Sequence, residues 1–165
     1  MPRYFLAQLN IAQMKEPLDS PSMADFVNNL DRINALAEQS QGFVWRLKDE
    51  TGNATTQRPF GDDIVVNMSV WMDVTSLSNY AFKSAHTEIM KRRREWFERM
   101  PEAYSVLWWI PADHRPSVSE AKERLHHYRE FGATAHAFNF SKPFPSPEVE
   151  NAAPAFTAND ASPAA

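Results

Sequence analysis

Two ionisable side chains, His86 and Arg93, lie in the middle of an apolar helical stripe. On a helical wheel of about 100° per residue, Arg93 falls roughly 20° from His86, and Ile89, Met90 and Phe97 share that side of the helix. A cation in the centre of a buried stripe is costly unless it is paired or faces a polar cavity. The pattern therefore predicts one of two arrangements. Either Arg93 binds an anionic or carbonyl oxygen while His86 acts as acid, base or ligand, or Arg93 pairs with a buried carboxylate and His86 bonds a backbone carbonyl.

Polar side chains alternate along two strand-like segments that are otherwise apolar. Gln8 and Asn10 lie on the first, and Asn67 and Ser69 lie on the third. In a βαββαβ sheet the first and third strands are adjacent, so the four side chains are expected to form one patch. Facing the helices, this patch would meet the two ionisable side chains across a cavity of mixed polarity. The alternative is cross-strand hydrogen bonding at a dimer seam.

Aromatic and histidine side chains complete the candidate site. Tryptophans are typical of a core, and we expect Trp71 and Trp108 to wall the cavity. His114 follows a strand end, where ligands commonly meet a sheet, and is either a binding residue or a surface turn residue. No His-x-x-x-His or His-Glu-x-x-His spacing occurs in the sequence, so no metal site is expected.

The elements that must position these residues follow from periodicity and end signals. Ser22 is predicted to cap the first helix, and Ser117-x-x-Glu120 is a capping box before a helix that ends at Gly132. Strands are predicted over Tyr4–Ile11, Phe43–Lys48, Ile64–Trp71 and Tyr104–Ile110, with helical sequence after Ser22, from about Thr75 to Met100 with a break near Ser84, and after Pro116. The order is βαββαβα.

Two of these strands are apolar on both faces, which is typical of a sheet covered on both sides. Three helices on right-handed crossovers would cover one face and leave the other bare. A second copy of the sheet is the natural cover, so we expect a homodimer. The alternative is a monomer whose segment Phe138–Phe144 lies across that face.

Composition excludes several classes of protein. The chain has 165 residues, of which 43% are hydrophobic, and no cysteine, so disulfides, thiolate-held metals and cysteine nucleophiles are absent. Four scattered glycines cannot form the common phosphate-binding loops. A net charge of −4 argues against a nucleic-acid partner. With no recognisable leader or membrane span, we expect a cytoplasmic protein with no membrane partner. Residues 1–147 are predicted to form one domain, and residues 148–165 a disordered Ala/Pro-rich tail.

Together, five segments resemble a domain-of-unknown-function family within the dimeric α/β-barrel superfamily, which includes the antibiotic-biosynthesis monooxygenases. The resemblance covers about residues 4 to 147. It is carried by Leu6–Ala12, by Leu36-Ala37-Glu38 with Gly42–Leu47, by Asn67–Trp71, by His86 with Arg93–Phe97, and by Leu107–Pro111 with His114 and Pro116.

The resemblance implies an α+β fold, a ferredoxin-like βαββαβ(α) chain with a four-stranded antiparallel sheet that packs on its partner's sheet as a dimeric α/β barrel. It also implies a small-molecule substrate held between sheet and helices, and chemistry such as that of a cofactor-independent monooxygenase or a polyketide cyclase. We therefore expect an enzyme for a hydrophobic substrate that needs no cofactor, in which His86 and Arg93 act on the substrate. One alternative is a haem protein with His86 as axial ligand, and another is a non-catalytic dimeric binding module.

Overall fold

One antiparallel sheet organises the chain, and the computed structural model describes residues 2–48, 55 and 58–148. The strands lie in the order β2-β3-β1-β4, which is the ferredoxin-like topology and confirms the predicted α+β fold. The strands are β1 (Tyr4–Gln13), β2 (Phe43–Arg46), β3 (Ile64–Trp71) and β4 (Ser105–Pro111). The helices are α1 (Ala24–Gln39), α2 (Val74–Lys83), α3 (His86–Lys91), α4 (Arg93–Trp96) and α5 (Val118–Phe131), and a 3₁₀ turn over Pro21–Met23 precedes α1. No helix among the described residues has both the length and the apolar character needed to cross a lipid bilayer.

The last helix begins and ends where its sequence signals predicted. The Ser117 hydroxyl accepts the backbone N–H of Glu120 at 3.0 Å, and Gly132 ends the helix with φ of +75°. The capping box is only half formed, because the Glu120 carboxylate does not return to the helix start. It accepts from the indole of Trp108 at 2.8 Å and contacts His114 at 2.6 Å instead.

Of two predicted helix boundaries before β4, one is wrong and the other is confirmed. The prediction that Ser22 caps α1 is wrong, because Ser22 lies inside the turn Pro21–Met23 and α1 begins at Ala24 without a side-chain cap. The predicted break near Ser84 is confirmed, since this residue is extended between α2 and α3 with φ of −115° and ψ of −179°. A second break at Arg92 separates α3 from α4.

The alternation of side chains along the strands divides the core into two layers. Helix α5 packs on one face of the sheet, where Leu125 and Ala121 meet an apolar set that comprises Ala7, Leu9, Ile11, Val66, Met68, Val70, Val106, Trp108 and Ile110. The other helices lie on the opposite face, over Leu6, Trp71 and Leu107 toward one end and Val65 near the other. The polar positions of β1 and β3 belong to this second face.

The homodimer was expected because all three helices were assigned to one face of the sheet. That assignment is wrong, because α5 packs on the face that was expected to be bare. Met68 and Trp108 on that face are 1% and 0% exposed in the single chain. The two-faced apolar pattern of the central strands is therefore satisfied without a partner. Association of two copies stays a prediction.

The segment that the monomeric alternative laid across the bare face also lies elsewhere. Phe138 pairs through its backbone with Leu107 on the outer edge of β4. Its side chain, with Phe140 and Phe144, packs into the layer that contains α1 and α2. Further along, the Glu148 carboxylate accepts the Arg3 backbone N–H at 2.9 Å. The rest of the predicted tail, residues 149–165, lies outside the described residues.

Candidate active site

A cavity of about 150 Å³ lies between the sheet and helices α1, α3 and α4. Asn10 of β1 and Asn67 of β3 are paired in register and line the cavity from the sheet. The helices contribute the aromatic rings of Phe26 and Trp96, and Phe97 follows directly after α4. The volume is that of about five molecules of liquid water, which fits a small organic molecule.

His86 reaches this cavity because the helical segment breaks just before it. The Ser84 hydroxyl accepts the His86 backbone N–H at 3.2 Å and itself bonds the Tyr80 carbonyl, which ends α2 and starts α3. The imidazole ring stands 4.9 Å from the Tyr80 ring, and Tyr80 stacks on Trp71 at 5.0 Å. His86 Nδ1 lies 3.2 Å from the Ala81 carbonyl oxygen. Since a carbonyl can only accept, Nδ1 carries the proton, and Nε2 is the basic nitrogen of the neutral ring.

Burial favours the neutral imidazole, because desolvation penalises the charged form. It lowers the pKa of His86 below its usual 6.5, and the bond to Ala81 opposes this shift only in part. At neutral pH the side chain is therefore a free base with a fixed tautomer, as a general base requires. The backbone-carbonyl bond is the one that the structural alternative predicted for His86, yet the residue also lines the cavity.

Arg93 lines the same cavity, as the helical wheel predicted, although Arg92 interrupts the helix between them. Its guanidinium carbon lies 4.6 Å from the centre of the Tyr104 ring, a cation–π contact. Its Nε atom is buried without a hydrogen-bond partner. No carboxylate is paired with Arg93 among the described residues, so the buried ion pair of the structural alternative is not formed.

The predicted polar patch exists, and it divides into two parts. Gln8 Nε2 donates to Asn67 at 2.6 Å and to Ser69 at 2.8 Å, and the Trp71 indole also donates to the Ser69 hydroxyl at 2.8 Å. Ser69 and Gln8 are buried away from the cavity lining, so they satisfy one another within the sheet. Asn10 is different, because its side-chain oxygen lines the cavity side of the patch and has no partner.

Trp108 and His114 are not brought to the cavity. Trp108 faces α5 on the opposite side of the sheet and is fully buried there. His114 lies near the start of α5, where both it and Trp108 contact Glu120. Trp71 is on the cavity side of the sheet, but it is buried behind Tyr80 and does not line the cavity. The structure therefore separates these three predicted binding residues from His86 and Arg93.

Arg46 is a cavity residue that the sequence reasoning did not assign. It pairs in register with Ser69 and so points to the helix side, where its charge acts on Tyr80. Burial raises the pKa of Tyr80 to about 12, and the positive charge of Arg46 opposes that rise. The Arg46 side chain is 12% exposed and lies 3.5 Å from the Glu38 carboxylate. Arg46 shares a face with the polar positions of β3, but alternation along β2 does not show this, because the register shifts between Phe43 and Trp45.

Buried polar atoms without partners are concentrated at this one place. Among the described residues, the only such side-chain atoms are Asn10 Oδ1, Arg46 Nε and Arg93 Nε, and all three residues line the cavity. Each unpaired buried group costs about 1–3 kcal/mol in a folded protein. The described lining residues include two arginines and no carboxylate, so the cavity is positively charged. An oxygen-bearing ligand would satisfy the two Nε–H donors.

The cavity gives no support to the haem alternative. Sites for drug-sized ligands are typically about 300–1,000 Å³, whereas the space beside His86 is about 150 Å³, and a porphyrin is larger than such ligands. Among the described residues, no group of three or more His, Asp or Glu side chains could hold a metal ion. The described lining residues offer one imidazole, two guanidinium groups, the Thr55 hydroxyl and four asparagine amides, those of Asn10, Asn29, Asn34 and Asn67.

Comparison with known proteins gives one family model and several solved structures that are similar to the chain. No curated protein sequence matches it. SnoaB, a cofactor-independent oxygenase from Streptomyces nogalater, has a similar structure with 15% identity and a TM-score of 0.45 over 71% of this chain and 98% of its own. A conserved protein from Methanosarcina mazei Go1 shows 14% identity and a TM-score of 0.47 over 66% and 92%. For PA3566 from Pseudomonas aeruginosa the values are 11% and 0.45 over 69% and 98%. The family model described as Domain of unknown function (DUF3291) matches residues 5–154, nearly the whole chain, and the chain therefore belongs to that family, as its motifs predicted.

Proposed function

We propose that this protein is a small-molecule enzyme that removes a proton from a carbon or hydroxyl next to a carbonyl or aromatic group. The observation that carries the proposal is that a neutral imidazole and an incompletely bonded guanidinium, His86 and Arg93, line one small cavity. A base and an oxyanion-binding group beside the same bound substrate are the minimum that such a reaction needs.

The proposed step moves one proton and leaves an electron pair on the substrate. His86 Nε2 takes the proton, while Nδ1–H stays bonded to the Ala81 carbonyl and fixes the ring orientation. The electron pair of the broken C–H bond gives an enolate, or that of a broken O–H bond a phenolate, and the negative charge develops on the substrate oxygen. Arg93 donates to that oxygen, and the Asn10 side chain, once turned, presents its amide to the same region. The aromatic walls exclude water and so strengthen these interactions.

Two reactions can follow from the same anion. In a cofactor-independent monooxygenase, dioxygen is the oxidant, a CH₂ group becomes C=O, and the second oxygen atom leaves as water. In a cyclase, the carbanion attacks a carbonyl of the same molecule, a C–C bond forms, and the new alkoxide takes back the proton from His86. Both begin with proton abstraction, so that step is the one to measure.

Deuterium exchange tests the step without knowledge of the natural substrate. Propiophenone is an aromatic ketone with exchangeable α-hydrogens, and NMR in D₂O follows their loss. We expect the wild-type protein to accelerate the exchange. His86→Gln should reduce the rate by about a hundredfold or more, as removal of a general base does. Arg93→Gln should reduce it by about a hundredfold, as loss of an oxyanion donor does.

Matched controls separate chemistry from damage to the fold. His126→Gln replaces an exposed histidine on α5, and Arg94→Gln replaces the exposed neighbour of Arg93, so both should retain the exchange rate. Exchange at the solvent rate with wild-type protein, or an unchanged rate in His86→Gln, contradicts the proposal. Ketone binding without exchange would identify a non-catalytic binding module instead.

A further inference from the structure

The second arginine of the cavity, Arg46, has no role in the proposed proton abstraction, which uses His86 and Arg93. It lies on β2, which is one edge of the sheet, whereas the Arg93 guanidinium lies over Tyr104, just before β4 at the other edge. Neighbouring strands are about 4.8 Å apart, so the two edge strands are separated by roughly 14 Å. Arg46 and Arg93 are therefore anchored at different places around the cavity, and we expect each to meet its own oxygen atom of a ligand.

Arg46 is only partly satisfied by the protein itself. Glu38 approaches one terminal nitrogen, Nη2, at 3.5 Å, and this glutamate is 43% exposed, so its contact lies toward the solvent. The Nε atom of Arg46 is buried and unpartnered, and the residue lines the cavity. The Nε–H and Nη–H donors of a guanidinium form a planar fork that matches the two oxygens of a carboxylate.

We infer that the substrate is an oxo acid with an aromatic body, whose carboxylate is bound by Arg46 and whose carbonyl oxygen is bound by Arg93. This inference rests on the proposed function and names its substrate class. The aromatic body lies between the two arginines, against Phe26, Trp96 and Phe97. The absence of a carboxylate among the described lining residues leaves the charge of Arg46 available to an anionic ligand.

A set of three related ketones tests the inference. 3-Benzoylpropionate is propiophenone with a carboxylate on its terminal carbon, and its primary amide has nearly the same shape without the charge. We expect wild-type protein to bind the acid at least about tenfold more tightly than the amide, as a charge-assisted hydrogen bond provides. Titration calorimetry gives the two dissociation constants, and exchange at the carbon next to the ketone gives the rates.

Arg46→Gln should weaken binding of the acid about tenfold more than it weakens binding of the amide, so the preference for the acid is lost. Arg46→Lys should keep part of the preference, because it keeps the charge but loses the fork. Arg94→Gln, which removes an exposed arginine outside the cavity lining, should keep all of it. The wild-type preference for acid over amide is informative even if an Arg46 variant does not fold.

The outcomes distinguish this inference from the proposed function. Accelerated exchange of propiophenone together with equal binding of acid and amide overturns the substrate class but leaves the proton-abstraction function. An unchanged preference in folded Arg46→Gln likewise overturns the role of Arg46. Absence of accelerated exchange with all three ketones overturns the proposed function and this inference with it.

Discussion

Replacement of Ser69 by alanine tests whether half of the polar patch is structural. The Ser69 hydroxyl accepts from Gln8 at 2.8 Å and from the Trp71 indole at 2.8 Å. In Ser69→Ala, Gln8 keeps its bond to Asn67 at 2.6 Å, whereas the fully buried Trp71 indole loses its acceptor. One unpaired buried donor costs about 1–3 kcal/mol. We therefore expect this loss in the free energy of unfolding, which corresponds to a Tm lower by roughly 2–4 °C per kcal/mol.

A double-mutant cycle isolates the proposed cause. Trp71→Phe removes the indole donor, so Ser69→Ala should cost only a few tenths of a kcal/mol in that background, and the coupling energy should exceed about 1 kcal/mol. Urea unfolding followed by far-UV circular dichroism gives each free energy by linear extrapolation. Ser105→Ala, on the neighbouring strand β4, is the control and should change stability by less than about 0.5 kcal/mol. A coupling energy below about 0.5 kcal/mol would refute the assigned network.

Two further changes have signs fixed by the structure. Burial lowers the pKa of His86 below 6.5, so in the window between the two values the unfolded chain binds a proton that the folded chain does not, and stability falls as the pH falls through it. His86→Asn should remove this dependence, which is at most about 1.4 kcal/mol per pH unit for one proton. Urea unfolding at several pH values measures the free energy of unfolding of both proteins. Parallel pH profiles for wild type and variant would contradict the prediction. Gly42 has φ of +85°, and an added Cβ would lie 2.1 Å from the Ser76 hydroxyl oxygen, so Gly42→Ala should destabilise the fold by more than about 1 kcal/mol. Thermal unfolding checks that loss, and a Tm equal to wild type would show that Ser76 and the turn adjust freely.

An element could be predicted from the sequence where it has both a hydrophobic periodicity and residues typical of its ends. The alternation of β1 and β3 places Gln8 opposite Ser69 and Asn10 opposite Asn67, and the helical spacing places His86 and Arg93 on one side. These positions follow from side-chain direction, which is local. The connectivity of a βαββαβ chain then makes β1 and β3 neighbours.

The position of α5 could not be predicted in the same way. Its apolar stripe contains Ala121 and Leu125, and the stripe identifies the buried side of the helix but not the face of the sheet that receives it. That choice depends on the turn after β4, where Glu120 bonds Trp108 and His114 at the start of the helix. Trp108 and His114 were expected to line the cavity, and they lie away from it for the same reason. They belong to the contact between α5 and the sheet.

Arg46 was missed because a single charged residue at the end of a short strand resembles a surface residue. Only the neighbouring strand shows its direction, since Arg46 pairs with Ser69 after an irregularity in the register between Phe43 and Trp45. Strict alternation counted from Phe43 would therefore place Trp45 and Arg46 on the wrong faces of the sheet. The register shift is a feature of tertiary pairing and leaves no signal in the composition of β2.

The contrast between the two ends of the polar patch indicates where function lies. At one end, Gln8, Ser69 and Trp71 satisfy one another and are buried, as interior polar groups normally are. Asn10 at the other end, and Arg46 and Arg93 around the same cavity, each retain a buried atom without a partner. The sheet could have been completed with apolar residues there at lower cost, because removing unpaired buried polar groups stabilises a fold. Local rules broken together at one cavity, and obeyed a few residues away on the same strands, are expected of a binding site for oxygen-bearing molecules.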